Sequence, residues 1–205
     1  MKFGIIAAME EELKTLLLAL EDKKEVVVLG KTYYEGRIGQ HEVVLVQSGI
    51  GKVLSAMSVT ILAETFGVDA IINTGSAGAV SEGLAIGDVV IADRLVYHDV
   101  DVTAFSYAYG QMAGQELYFL ADSDLMAKLQ AVLAQEGQES HLGLIATGDS
   151  FIADPDRVAA IKHHFPEVLA VEMEGAAIAQ AAQAAGKPFL VIRAMSDTAQ
   201  GDANI

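Results

Sequence analysis

The sequence contains no cysteine, which removes disulfides, thiolate metal sites and a cysteine nucleophile together. Cations are scarce as well: 13 Lys and Arg stand against 28 Asp and Glu, a formal net charge of −15. Such a chain repels a phosphate backbone and has no basic stripe to bind one, so no nucleic acid is expected as a partner. A phosphate-rich substrate is disfavoured too, unless a few placed cations make a local site. A neutral small molecule fits most easily. Long apolar runs are also missing. Although 52% of the residues are hydrophobic, charges interrupt every stretch of about twenty, the length a membrane span needs, so no membrane association is expected. The N-terminus passes from Lys2 through a short apolar stretch straight into Glu10, Glu11 and Glu12. It therefore lacks the long core and small-residue cleavage site of a signal peptide, and cytoplasmic is the default compartment. No repeat, low-complexity tract or linker is visible, and 205 residues fall within the range of one domain.

Apolar spacing lays out an alternation of strands and helices. Residues 2–8 form a short apolar strand, and 10–20 follow as a helix with Leu13, Leu16, Leu17 and Leu20 on one face. Residues 25–29, 31–38 and 41–48 are three β-rich runs split by Gly30 and by Gly39-Gln40, the pattern of an antiparallel meander. A helix is expected over 52–66, then a buried strand over 69–73 ending in a turn of small residues from Thr74 to Gly78. Beyond it come a strand over 88–92 and a long irregular excursion over 94–114. The remaining elements are a helix over 122–135, a strand over 142–147, a helix over 154–164, a strand over 168–172, an Ala-rich helix to Ala185 and a strand over 189–195. Strands buried on both faces and alternating with helices predict an α/β fold of three layers. Its mixed central β-sheet would be mostly parallel and flanked by helices.

In open α/β sheets, ligands sit beyond the carboxyl ends of the strands. The polar residues there are few, and the acids among them are the most informative, because a carboxylate ending an apolar strand must be solvated, hydrogen-bonded or functional. Asp197 follows such a strand. Partial burial would raise its pKa toward neutrality and suit it to general-acid work; on position alone, Ser196 and Asp197 are better explained as a helix cap. Glu172 and Glu174 straddle Met173 at a strand-to-helix junction, where an acid also favours a helix N-terminus. Glu10, Glu11 and Glu12 have the same electrostatic explanation. Several acids at the strand ends of one sheet nevertheless suit a reaction that builds positive charge, such as the oxocarbenium-like transition state of glycosyl cleavage.

Rival motifs do not hold. Gly49-Ile50-Gly51-Lys52 looks like a phosphate loop, but Val53 stands where Ser or Thr is required and the glycines are too close together. Residues Gly75 to Gly78 lack dinucleotide-binding spacing. His98, Asp99 and Asp101 have no familiar metal-ligand pattern, nor do the adjacent His163 and His164, and both groups fit a surface or loop position better. Met57, Met126 and Met195 are expected as core fillers.

Certain segments, in order, are more specific: Ile5-Ile6-Ala7-Ala8-Met9-Glu10-Glu11-Glu12, Ser48-Gly49-Ile50-Gly51-Lys52, Asn73-Thr74-Gly75-Ser76-Ala77-Gly78, Tyr97-His98-Asp99 with Asp101-Val102-Thr103-Ala104-Phe105, Gly148-Asp149-Ser150-Phe151-Ile152, Val171-Glu172-Met173-Glu174 and Arg193-Ala194-Met195-Ser196-Asp197. Together they resemble the 5'-methylthioadenosine/S-adenosylhomocysteine nucleosidase family, from Met1 to Asp197. The resemblance implies a purine nucleoside phosphorylase-like fold and a homodimer with no metal or organic cofactor. It also implies hydrolysis of adenosine thioethers, and of 5'-deoxyadenosine, in methionine salvage and the activated methyl cycle. It assigns Asp197 as the acid that protonates adenine N7, Glu12 as the base that activates water against C1', and Glu174 as the ribose clamp. Phe151 would stack on adenine, the Ile152 backbone would read its edge, and Met173 would pack beneath the ribose. Ser76 and Arg193 would place Glu12 and the water, with Gly78, Met9 and Ser196 lining the site. Ile50 and Val102 would bound the 5'-thio pocket, and Phe105 would reach across the dimer interface.

Two departures accompany the resemblance. Family chains continue past the Ser-Asp pair through an aromatic-containing segment to a final helix, so the expectation is one nucleosidase domain, 1–205, without that helix. Met112-Ala113 also replaces a Leu-Pro pair near the neighbouring subunit's pocket. The alternatives are a phosphorylase of the same fold, which needs cations near C1', and a catalytically silent nucleoside-binding protein, which does not need all three acids.

Overall fold

The computed structural model describes residues 1–199. Strand β1 (Lys2–Ala7) leads into helix α1 (Glu10–Ala19), which lays Leu13 into the core while Leu16 and Leu17 pack at its margin. Strands β2 (Glu21–Val28), β3 (Lys31–Ile38) and β4 (His41–Gln47) form the expected meander, antiparallel at both joins. Leu29 and Gly30 both take positive φ, 49° and 75°, between β2 and β3. That matches the twist of a tight two-residue hairpin and explains the glycine. Strand β2 starts earlier than expected because its first residues are charged and exposed, which suits an edge strand but leaves no apolar signal.

Helix α2 (Lys52–Glu64) precedes β5 (Ala70–Ala79) and β6 (Val89–Tyr97). After a 3₁₀ turn (Thr103–Phe105) and a short β7 (Phe119–Leu120) come α3 (Ser123–Gln135), β8 (Ser140–Thr147), α4 (Pro155–His164), β9 (Val168–Glu172), α5 (Gly175–Ala184) and β10 (Phe189–Asp197). The strands make one mixed sheet in the order β10-β6-β8-β9-β5-β1-β4-β3-β2. Because β10 also pairs with β5, the strands β5, β10, β6, β8 and β9 close into a ring. Helices cover the sheet to give the three-layer α/β architecture. Among the described residues, five strand pairs are parallel and five antiparallel, so the sheet is less parallel than expected.

The core is the sheet interior. Ile71, Ile91, Leu95, Val96, Ile145 and Val191 are fully enclosed, and each such side chain contributes roughly 1.5–3 kcal/mol on burial. Helices α2 and α5 pack on each other. The buried Ala176, Ala177, Ala179 and Ala182 let α5 lie close to its neighbours. No helix among the described residues is long and apolar enough to cross a membrane.

Four expectations are corrected. The small-residue stretch from Thr74 to Gly78 is not a turn but the continuation of β5, held extended by pairing with β10 through Gly78. Strand β10 runs on to Asp197 across a bulge after Met195. Arg94 to Tyr97 belong to β6 rather than to the excursion; a register shift between Ala92 and Arg94 breaks the alternation that would have revealed it. Finally, Met57, expected as a core filler, is 39% exposed on α2; His98, expected at the surface or in a loop, stands in the loop after β6 and is buried there. The expectation about a final helix concerns chain beyond Asp197, and residues 200–205 lie outside the described residues.

Candidate active site

The carboxyl ends of β1, β4, β5, β8, β9 and β10 converge on one pocket. Glu12, Glu174 and Asp197 all line it, with Met9, Ile50, Ser76, Gly78, Phe151, Ile152, Met173, Arg193 and Ser196. Val102 and Phe105 do not. Val102 packs partly buried against the core, and Phe105 projects from the 3₁₀ turn, 78% exposed.

Glu12 is held by four donors. Its Oε2 accepts from the backbone N–H of Ala8 at 2.9 Å and of Met9 at 3.1 Å; its Oε1 accepts from the Ser76 N–H at 3.0 Å and Ser76 Oγ at 3.1 Å. Met9 is the helix N-cap and has no side-chain oxygen, so Glu12 makes only the return half of a capping box. The dipole explanation for this acid therefore holds, but the side chain turns away from solvent and bridges α1 to β5. Gly75 makes that approach possible. A Cβ there would lie 2.7 Å from Arg193 Nη1 and 3.0 Å from Glu12 Oε1, closer than side-chain carbons pack.

Arg193 is 1% exposed, and both of its terminal nitrogens are committed, while its buried Nε has no hydrogen-bond partner among the described residues. Nη1 donates to the Ser76 carbonyl at 3.1 Å; Nη2 donates to Asn73 Oδ1 and, at 2.5 Å, to Glu172 Oε2. Glu174 Oε2 lies 3.6 Å from the same nitrogen. Glu172 also accepts from Thr147 Oγ1 and from the N–H groups of Glu174 and Gly175 at 3.1 and 2.6 Å. Its first oxygen and its second thus anchor the β9–α5 junction, while Glu174 faces the pocket.

Glu174 has fewer partners. Its Oε1 accepts from the Gly51 N–H at 3.2 Å. Burial, reinforced by the Glu172 carboxylate, pushes its pKa up to about 7; Arg193 and the Gly51 amide pull against this, and Glu12 adds to it. Asp197, 4% exposed, accepts from Ser196 Oγ at 2.9 Å through Oδ2 and from the Ala199 N–H at 2.8 Å through Oδ1. Gly78 is its neighbour across the β5–β10 pairing, and a Cβ on Gly78 would sit 2.9 Å from Asp197 Oδ1.

His98 packs against Gly148, where an added Cβ would fall 2.2 Å from His98 Cε1. Burial lowers the imidazole pKa, with Asp99 opposing. This ring, in the loop after β6, is a buried wedge against Gly148.

The site residues that spacing alone left without a role are Glu172, Thr147 and Asn73. Thr147 and Glu172 close apolar strands and Asn73 lies within β5, and their burial, at 0, 7 and 0% exposure, is what distinguishes them. Ala8, Ala77, Ser150 and Val171 also line the pocket and carry no chemical signal in sequence.

The phosphorylase superfamily pattern matches residues 2–204. A curated relative from Geobacillus thermodenitrificans (strain NG80-2), named 5'-methylthioadenosine/S-adenosylhomocysteine nucleosidase, is 50% identical over 100% of this chain and 87% of its own length. A solved Streptococcus pyogenes S-adenosylhomocysteine nucleosidase, in complex with 5-methylthiotubericidin, superimposes with a TM-score of 0.97. It is 67% identical and is covered over 86% of its length by the whole of this chain. The S. pneumoniae 5'-methylthioadenosine/S-adenosylhomocysteine nucleosidase with the transition-state inhibitor MT-ImmA gives a TM-score of 0.95 at 68% identity, over 98% of this chain and 87% of that one. On full-length identity, superposition and a pocket lined by the three carboxylates, this chain belongs to the 5'-methylthioadenosine/S-adenosylhomocysteine nucleosidase family of the phosphorylase superfamily.

Proposed function

We propose that this chain is an N-glycosyl hydrolase. Its substrates would be 5'-methylthioadenosine and S-adenosylhomocysteine, and its products adenine with S-methyl-5-thioribose or S-ribosylhomocysteine. The observation that carries the choice of water over phosphate is the charge inventory of the pocket. Among the described lining residues, four carboxyl side chains, Glu12, Glu172, Glu174 and Asp197, face a single guanidinium, Arg193. That cation is already spent on Asn73, Ser76, Glu172 and Glu174. A phosphate dianion would meet net negative charge here, whereas a cationic sugar would be stabilised.

In this reading, Asp197 donates a proton to adenine N7 as the C1'–N9 bond breaks and its electron pair passes to the base, which leaves neutral. Glu12 takes a proton from the water whose oxygen bonds to C1'. Its four hydrogen bonds orient that carboxylate before substrate arrives. Glu174 accepts from the ribose hydroxyls, Met173 packs beneath the ring, and Phe151, more than half exposed, is free to cover the base. Met9, Ile50, Ile152, Ser196 and Gly78 shape the walls. Phe105 would reach across the interface of a homodimer toward the 5'-thio pocket. One domain over 1–205 and a cytoplasmic setting belong to the same reading.

Adenine release from 5'-methylthioadenosine, followed with and without inorganic phosphate, tests it. Turnover is expected without phosphate and unchanged on adding it. A strict phosphate requirement would overturn the hydrolase reading in favour of phosphorolysis.

A further inference from the structure

Outside the pocket lining, Lys52, Asp99 and Asp149 join three strand-end loops. Lys52 opens α2, and its backbone N–H donates to Asp149 Oδ1 at 2.9 Å. Its ammonium donates to Asp99 Oδ1 at 2.6 Å and lies 4.6 Å above the Tyr97 ring. Asp99 Oδ2 in turn accepts from the Asp149 N–H at 2.9 Å. Both members of the Lys52–Asp99 pair keep under a third of their side-chain exposure, so the pair is partly shielded. Gly51, at φ 96°, turns the chain between Ile50 and Lys52, and a Cβ there would lie 3.1 Å from Asp149 Oδ1.

This arrangement acts on the site through two short links. The same turn presents the Gly51 N–H to Glu174 Oε1 at 3.2 Å. Phe151 and Ile152 follow Asp149 by two and three residues and line the pocket. The loop that would carry the base and the loop that fixes the proposed ribose clamp are therefore tied at one carboxylate. We propose that Asp149, backed by Asp99 and Lys52, is a positioning residue: it locks the 48–51 turn to the 148–152 loop and so sets the Gly51 amide against Glu174 and the base-stacking loop against the sugar site. The inference rests on the reading of Glu174 as ribose clamp.

The test uses the full chain with 5'-methylthioadenosine. In Asp149→Ala the Lys52 N–H loses its acceptor, and KM is expected to rise about tenfold while kcat stays within about threefold, the pattern of lost substrate positioning. The acid limb of kcat/KM should also move to higher pH, because Glu174 loses a donor that favours its ionised form. The other groups facing Glu174, namely Glu172 on β9, Arg193 on β10 and Glu12 on α1, are untouched by the substitution. Asp149→Asn retains an oxygen for the Lys52 N–H and should restore most of both values. A folded Asp149→Ala protein with wild-type KM and acid limb, or an Asp149→Asn protein as impaired as the alanine variant, would overturn the proposal. Should Asp149→Ala not fold, Lys52→Met removes only the ammonium. It should raise KM about threefold and move the limb the same way, and wild-type behaviour there would equally overturn it. Glu174→Ala, run in parallel, isolates the parent reading: an unchanged KM in that variant refutes the ribose clamp itself, independently of Asp149.

Discussion

At the scale of residues, the account gives each carboxylate a separate job set by its partners. Asp197→Asn keeps the volume and one of the two acceptor oxygens but removes the acid proton. It should lower kcat by about 10³-fold or more while leaving the melting temperature and substrate-analogue affinity close to wild type; a variant turning over at near the parental rate would refute the general-acid role. Gly75→Ala tests the packing that aims Glu12. A methyl 2.7 Å from Arg193 Nη1 and 3.0 Å from Glu12 Oε1 must displace both, and steady-state kinetics should show about a hundredfold loss of kcat/KM in a folded protein. Glu174 gives a pH signature. Its folded pKa, raised from 4.5 to about 7, means the native state holds more protons than the unfolded chain between those values. Its favourable contribution is therefore complete below about 4.5 and is lost as pH rises through about 7. Glu174→Gln should accordingly gain thermal stability over wild type as pH increases, by about 5 °C between pH 4.5 and 7.5 in paired melts. A constant difference across that range would show that the buried carboxyl carries no such penalty.

At the scale of elements, local pattern and tertiary context divided the work. The meander, the α1 face built on Leu13 and the helix–strand alternation of the second half are readable because apolar period and glycine placement agree with the fold. The misread boundaries are places where pairing overrules composition. Gly75, Ser76 and Gly78 look like a turn, yet β10 holds them extended, and a bulge hides the end of β6. The strand-end acids were visible as candidates, but their separate roles were not. The capping explanation for Glu12 and the structure's bridge to Ser76 involve the same residue, and only the ordered family segments favoured function. Likewise, Glu172 differs from Glu174 in accepting hydrogen bonds from Arg193 and from the Gly175 amide that opens α5, a distinction that depends on a turn no spacing rule predicts. The packing of α5 gives an element-level test. Ala179 is fully enclosed, and Ala179→Leu must push α5 from its neighbours at a cost of about 1–3 kcal/mol. A thermal melt should register this as a fall of several degrees, with residual activity following the folded fraction.

At the scale of the whole molecule, the closed ring of β5, β10, β6, β8 and β9 brings the carboxyl ends of distant segments to one mouth. Six strand-end loops, spread from Ala8 to Asp197, meet there, and the strong negative charge of the chain continues into the pocket instead of being reversed by a phosphate-binding loop. That continuity is what makes water, rather than phosphate, the consistent nucleophile. Ring closure itself leaves no trace in the hydrophobic pattern, since a strand buried on both faces looks the same whether it sits in an open or a closed sheet. The most direct test is a crystal structure of this chain with a non-hydrolysable adenosine thioether analogue. The account predicts adenine N7 within about 3.2 Å of an Asp197 carboxyl oxygen, a water between Glu12 and C1', and the ribose hydroxyls on Glu174. A base turned away from Asp197, or an anion in place of the water, would contradict it.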